Sequence, residues 1–366
     1  MSKPALHHIA WSKVEPARHR HSLAESGVDA PDLEAMGLPS RAGLPAAGYA
    51  LQPELERVLG ARWGAPGGRV LLASGGSEAN ALVVAALLER GDEILVESPG
   101  YEPHREVPRL FDITVRRFDR RPGAGTALAE AVEAALTPAT RMVVLTHLHN
   151  PTGEPLAPES AAALTALAER RGVWLLCDEI FRDADLGPLG TYAALGPKWV
   201  ATSSLTKVYG LGGLRLGWIA GSEEVLARCA AVQNGLSVSP ALPSIALALE
   251  LAPHLDTLRA RTQRMLSANH ARWNAQVAGG VPFSVPVPVR GTTTWVLFPR
   301  DGDGDAFAAL ASERFSLALT PGRFFGVPRG LRIGLAAEPA RCTAALDAFA
   351  RALAAFTAGE PVQENA

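Results

Sequence analysis

The stretch Ser203-Ser204-Leu205-Thr206-Lys207-Val208-Tyr209-Gly210-Leu211-Gly212-Gly213-Leu214-Arg215-Leu216-Gly217-Trp218 decides how this chain is read. It follows the short apolar run Trp199-Val200-Ala201. Small hydroxylated residues precede a single lysine, and an arginine follows eight positions on (215 − 207 = 8). Most lysines are solvated surface charges, but one between an apolar strand and a glycine-rich turn is expected to be buried. Burial penalises the ammonium form, and a neutral amine can condense with a carbonyl compound. Arg215 would then supply an anion site beside it.

Upstream, short apolar runs alternate with helical stretches. Val70–Ala73, Glu93–Glu97, Met142–Thr146, Val173–Cys177 and Trp199–Ala201 read as strands, and Leu216–Ala220 adds another. Helical stretches such as Glu159–Arg170 separate most of them. This alternation predicts an α/β fold, a mostly parallel sheet with helices on both faces, followed by a smaller α+β domain. Ligands of such sheets gather where the strands end. After the strands come Ser74-Gly75-Gly76-Ser77, Ser98-Pro99-Gly100-Tyr101, His149-Asn150-Pro151-Thr152-Gly153, Asp178-Glu179-Ile180-Phe181 and the lysine segment itself. The turn at Gly75-Gly76-Ser77 opens a helix whose free backbone donors suit an anion, although Ser77 reads equally as a helix cap.

At 366 residues the chain exceeds what one growing core accommodates. We divide it into an N-terminal arm (1–50), a large domain (51–250) and a small C-terminal domain (251–366). The arm, punctuated by proline and glycine, is expected to be irregular, and the tail Thr357–Ala366 frayed. Near-balanced charge, 35 basic against 37 acidic residues, argues against nucleic acid or an anionic membrane as partner. Cys177, Cys229 and Cys342 lack metal or redox spacing, so neither a metal site nor disulfides are expected. With no signal peptide or roughly twenty-residue apolar span, a cytoplasmic protein is expected.

Taken together over roughly residues 25 to 350, these motifs resemble the class I/II aminotransferases, the fold type I pyridoxal 5′-phosphate enzymes related to aspartate aminotransferase. The resemblance implies that Lys207 forms the Schiff base with the cofactor and then moves protons as base and acid. It implies that Ser204, Arg215, Gly76 and Ser77 hold the phosphate, and that Asp178 pairs with the pyridine nitrogen. Tyr101 is implied to stack on the ring and Asn150 to bond its 3′-oxygen. Arg332 would grip the substrate α-carboxylate, with Gly27 in a loop closing over it. The implied activity is transfer of an amino group between an amino acid and a 2-oxo acid by a homodimer. Tyr49 is a candidate, left open, for reaching a neighbouring subunit's phosphate.

One position departs from the family. Asp-Glu-x-Tyr is common there, whereas this chain has Asp178-Glu179-Ile180-Phe181, without the hydroxyl that would bond the 3′-oxygen. The departure keeps a second reading in play: a lyase, decarboxylase or cyclase acting on an amino acid with the same cofactor, as in capreomycidine synthase-like enzymes. A serine hydrolase built on Gly75-Gly76-Ser77-Glu78-Ala79 lacks the last glycine of its elbow. A nicotinamide dehydrogenase built on Gly210–Arg215 has arginine where its motif needs glycine.

Overall fold

The computed structural model describes residues 4–45, 48–121, 123, 127–185 and 187–359. The N-terminal segment holds a two-residue strand, β1 (His21–Ser22). Seven strands among the described residues form the main sheet: β2 (Leu71–Ala73), β3 (Glu93–Ser98), β4 (Thr114–Asp119), β5 (Thr140–Thr146), β6 (Trp174–Asp178), β7 (Trp199–Ser204) and β8 (Gly217–Ala220). Their order is β2-β8-β7-β6-β5-β3-β4, and only β8 runs against its neighbours. The strands other than β8 therefore end on one edge. The lysine segment is the direct connection from β7 to β8, so it too lies on that edge.

Alternation along the strands shows why both faces are covered. Ile94, Val96, Met142, Val144 and Leu176 join one apolar cluster, while Leu95, Val143, Leu145, Leu175 and Cys177 join another. In chain order the helices are α1 (His7–Val14), α2 (Leu51–Trp63), α3 (Gly76–Leu87), α4 (Glu102–Glu106), α5 (Ala127–Ala135), α6 (Pro158–Arg171), α7 (Glu223–Leu236), α8 (Leu242–Leu251), α9 (Leu255–Ala278), α10 (Asp303–Phe315) and α11 (Pro339–Thr357). Helices α3 and α7 cover the first face with Leu82, Val83, Val225 and Leu226, and α5 and α6 cover the second with Leu128, Val132, Leu164 and Leu167. A parallel sheet with both faces buried matches the fold expected from the strand-helix alternation.

The C-terminal part builds its own apolar cluster from α10, α11 and a three-stranded sheet. There β12 (Gly330–Gly334) lies between β9 (Thr293–Leu297) and β11 (Thr320–Pro321), antiparallel to both. The continuous run Leu317–Thr320 is split between two sheets. Its first half, β10 (Leu317–Ala318), pairs in parallel with β1, and its second half turns to β12.

Three expectations need correction. The arm is not irregular throughout: α1 and β1 lie within it, held by tertiary contacts where the local sequence signal is weak. Strand β4 was missed because it is an edge strand carrying Arg116 and Arg117, with mostly outward-facing residues. Arg259, Arg261, Arg264 and Arg272 of α9 suggest from sequence a solvated face, but they do not all form one, since Arg259 donates to the carbonyls of Asp183, Asp185 and Gly187. Helix α11 ends at Thr357, and the remainder of the expected frayed tail, residues 360–366, lies outside the described residues.

Gly217 begins β8 where β8 meets the turn after β2. A Cβ there would stand 2.6 Å from the Gly75 carbonyl carbon, 2.7 Å from Ser203 O and 2.9 Å from Gly76 N. These are backbone atoms and cannot swing aside. Gly217→Ala should destabilise the protein by about 1–3 kcal/mol, as overpacking does. Urea unfolding checks this, and an unchanged midpoint would contradict it.

Candidate active site

The strand ends converge on a cavity of about 590 Å³. Of the residues singled out from sequence, Gly76, Ser77, Tyr101, Asn150, Asp178, Lys207 and Arg215 line it, as does Phe181. Ser204, Gly27 and Arg332 stand just behind the wall. A larger, more open cleft of about 1650 Å³ along α1, α4 and Arg323 holds none of the predicted site residues.

At the end of β2 the chain turns through Gly75, whose φ of 90° is natural only for glycine. Gly75 is the N-cap position of α3, and no side chain caps that helix. Ser77 is therefore not the cap; it lies exposed in the first turn. The Arg215 guanidinium leans over this turn: a Cβ on Gly75 would stand 2.7 Å from its Nη2. Arg215 itself holds a left-handed backbone, φ 50°, which a non-glycine residue adopts only at some cost. Ser204 Oγ is 2.6 Å from Thr206 Oγ1, and Thr206 reaches the cavity. Hydroxyl groups, first-turn N–H groups and one guanidinium thus surround a single spot suited to a dianion.

Asp178 ends β6 and is buried. Its Oδ2 accepts from Asn80 Nδ2 (2.9 Å) and His104 Nε2 (3.1 Å), and its Oδ1 from Ile180 N (3.1 Å). Asn80 Oδ1 in turn accepts from Thr202 Oγ1 at 2.6 Å. Asn80 and His104 were missed in the sequence. Their only signal was spacing: each follows a predicted site residue, Ser77 or Tyr101, by three positions, within the same short element. Tyr101 meets His104 edge-on at 5.3 Å.

Lys207 lies in the cavity wall, and burial holds its amine down to about 8, with Arg332 and Arg215 adding repulsion and Asp178 and Glu25 opposing it. The N-terminal segment packs against it. Val28 N donates to Lys207 O at 2.9 Å, and a Cβ on Gly27 would stand 3.0 Å from Lys207 Cδ. The segment also meets Arg332, whose Nη2 donates to Ala24 O at 2.8 Å while Nη1 donates to Asn150 Oδ1 at 3.1 Å. Arg332 is only 3% exposed, and its Nε has no partner among the described residues. Burial lowers its pKa to about 10. A buried guanidinium with a spare donor beside a cavity is equipped to receive a carboxylate.

Helix α1, unforeseen in the sequence, closes one side of the cavity with Leu6, Ile9 and Lys13. His8 turns away from them and stacks on Phe324 at 5.0 Å, while its backbone N donates to Glu102 Oε2 at 2.7 Å. Burial keeps the His8 imidazole neutral, with its pKa pushed down to about 2. Phe181 is buried in the core beneath the lysine segment and offers no donor. No helix among the described residues is long and apolar enough to cross a membrane.

A family model described as aminotransferase class I and II matches residues 46–349. Capreomycidine synthase from Streptomyces vinaceus is 30% identical over 280 residues, covering 74% of this chain and 70% of that protein. Among solved structures, a PLP-dependent aminotransferase from Streptococcus suis superposes with a TM-score of 0.85 at 20% identity, covering 100% of both chains. A PLP-dependent cyclase, OrfR, superposes with a TM-score of 0.81 at 25% identity, covering 97% of this chain and 98% of its own.

The lowered pKa of Lys207 gives a direct expectation for the protein without cofactor. Only the neutral amine attacks an electrophile, so labelling of Lys207 by an amine-reactive reagent should rise with pH around a midpoint near 8, where an unperturbed lysine would require about 10.4. Asp178→Asn removes a charge that favours the ammonium and should move the midpoint lower still. Peptide mapping of the label checks both statements, and a midpoint at the ordinary lysine value would contradict the first.

Proposed function

The chain belongs to the class I and II aminotransferase family, whose cofactor is pyridoxal 5′-phosphate, and we propose that it moves an amino group between an amino acid and a 2-oxo acid. The observation that carries this reading is one cavity lined by a buried amine of lowered pKa, a carboxylate, an aromatic ring and an anion-binding helix turn, with a buried arginine behind it. Those groups fit the cofactor. The first turn of α3 and Arg215 suit its phosphate, Asp178 its ring nitrogen, and Lys207 its aldehyde.

When bound, the cofactor supplies an aldehyde that captures amines and a ring that accepts the electron pair released at the substrate α-carbon. The protein's own groups do the rest. Arg215, Ser77, Ser204 and the N–H groups of Gly76 and Ser77 hold the phosphate. Asp178, fixed by Asn80 and His104, keeps a proton on the ring nitrogen, which strengthens the ring's pull on electrons. Tyr101 would pack against the ring, and the Asn150 amide would donate to its 3′-oxygen. Arg332 binds the substrate α-carboxylate through its planar fork, under the loop at Gly27. Lys207 Nζ would accept the proton released from the substrate α-carbon and hold it as an ammonium group, a task suited to an amine whose pKa lies near the working pH. We take the active form to be a cytoplasmic homodimer. Tyr49, which is 62% exposed, is available to a neighbouring subunit.

A second reading, a cyclase or lyase on the same scaffold, is favoured by two observations: the likeness to capreomycidine synthase and Phe181 in place of a tyrosine. Incubating candidate amino acids with and without a 2-oxo acid separates the two. Transfer needs the acceptor for turnover and yields a new amino acid; elimination or cyclisation proceeds without it.

The visible spectrum of the purified protein, followed while each common amino acid is added, tests cofactor, half-reaction and donor together. A donor-dependent loss of the visible band, absent in Lys207→Ala, is expected. A wild type whose spectrum matches that of Lys207→Ala would sink the proposal. Arg332→Lys should cost about 1.5–3 kcal/mol in kcat/KM, the range for hydrogen bonds to charged groups, and steady-state kinetics checks it. Phe181→Tyr adds a donor toward the 3′-oxygen and should lower the pH midpoint of the visible band.

A further inference from the structure

Beside the cavity, the ends of β3 and β4 carry a buried ion pair that the proposed chemistry leaves unused. Glu97 is the penultimate residue of β3, and Arg120 directly follows β4; they are 4% and 2% exposed. Arg120 Nη1 donates both to Glu97 Oε1 and, at 3.0 Å, to Thr146 O at the end of β5. Its Nη2 reaches Glu154 O at 3.5 Å, and its backbone N donates to Ser98 O at 3.0 Å.

We propose that Arg120 is a positioning residue of the active site, its guanidinium tying the end of β3, through Glu97, to the end of β5 and the loop after it, the two places from which Tyr101 and Asn150 are presented to the cofactor. The proposal rests on the cofactor-binding reading above. Residues 99–101 leave β3 and residues 147–154 leave β5; the Arg120 side chain holds the base of the first through Glu97 and the second through Thr146 O and Glu154 O, while its backbone N alone meets Ser98 O. His149 forms a second tie between them. Its Nε2 lies 3.0 Å from Pro99 O, which can only accept, so Nε2 carries the proton; Nδ1 then accepts from Thr152 Oγ1 at 2.8 Å. Burial, reinforced by the Arg120 charge, holds the His149 pKa well below its ordinary value, so the ring stays in this neutral form. Glu97 Oε2 is 3.7 Å from the same Nε2. Burial pushes the Glu97 carboxyl up while Arg120 pulls it down, and the pairing lets both charges sit beneath the loops.

A buried ion pair contributes little net stability, because desolvation offsets the attraction and apolar replacements are often tolerated. An apolar pair could fill the space but could not donate to Thr146 O and Glu154 O. A planar fork with several fixed donors holds three oxygens at once, which a lysine ammonium on a flexible stem does not reproduce. Asn150 also receives the bond from Arg332, so misplacing its loop disturbs both the cofactor and the substrate carboxylate.

The test compares wild-type holoenzyme with Arg120→Lys and with the neutral double variant Glu97→Gln/Arg120→Met. Melting temperature reports folding, and equilibrium dialysis gives the dissociation constant for pyridoxal 5′-phosphate. The pH midpoint of the visible band and the separate values of kcat and KM complete the set. Both variants should fold, bind the cofactor about tenfold more weakly, and show a shifted midpoint. Their kcat should fall by roughly a hundredfold, the loss expected when reacting groups are displaced by about an ångström, while KM changes much less. Folded variants with wild-type cofactor affinity and midpoint would overturn the proposal. Failure of both variants to fold would overturn it equally, because the pair would then be a structural support. A wild type that transfers no amino group would sink the functional reading yet leave the affinity and midpoint comparison decisive for Arg120.

Discussion

A carboxylate buried at a strand end must be given donors before anything can be arranged around it, since an unpaired charge is very costly to hold away from water. Asp178 sets that requirement here. Asn80 of α3, His104 of α4 and the backbone N of Ile180 meet it, and Thr202 of β7 closes the remaining acceptor on Asn80. Satisfying one side chain therefore fixes two helices against the sheet. The first turn of α3 carries Gly76 and Ser77, and Tyr101 is the N-cap of α4, so the anion turn and the aromatic wall inherit their positions from the same carboxylate.

A second constraint comes from gathering cations. Arg215 and Arg332 both face Lys207 closely enough to disfavour its proton. Groups selected to hold anions thus also prepare a neutral amine, without a separate base. The effect is self-limiting, because an anion resting on Arg215 or Arg332 offsets its field and lets Lys207 regain proton affinity. The N-terminal segment holds the arrangement together, with Ala24 O on Arg332 and Val28 N on the Lys207 carbonyl. A segment that contacts both ends of the site at backbone level cannot be displaced from one without disturbing the other.

Most of the sheet, and the residues at its polar edge, could be read from the sequence, because parallel strands buried on both faces are continuous apolar runs and their ends are marked by turn chemistry. Where that signal fails, the reading fails. Strand β4 is an edge strand of mostly exposed residues, and only Phe118 in it is buried, with the adjacent Arg116 and Arg117 breaking the apolar run. Helix α1 has eight residues and a strong punctuation of prolines after it; it is ordered by Glu102 and Phe324, both distant in sequence. Asn80, His104 and Arg120 are polar residues whose importance arises only from what they touch across the fold. Ser77 shows the converse: a good local cap residue, it stands two positions past the N-cap Gly75, too far into α3 to cap it.

On the proposed cofactor-binding reading, Phe181 bears on the electronic control of the site. Asn150 gives its Oδ1 to Arg332, which leaves its amide nitrogen as the donor that can face the ring's 3′-oxygen. With a tyrosine at 181 two donors would share that oxygen; with phenylalanine a single amide carries it, and the same amide is bonded to the residue proposed to bind the substrate carboxylate. On the proposed reading, substrate binding at Arg332 would act on the ring through one hydrogen-bonded side chain. If Asn150 couples the two in this way, small changes around it would alter how electrons leave the substrate α-carbon, and proteins with this fold include both an aminotransferase and a cyclase.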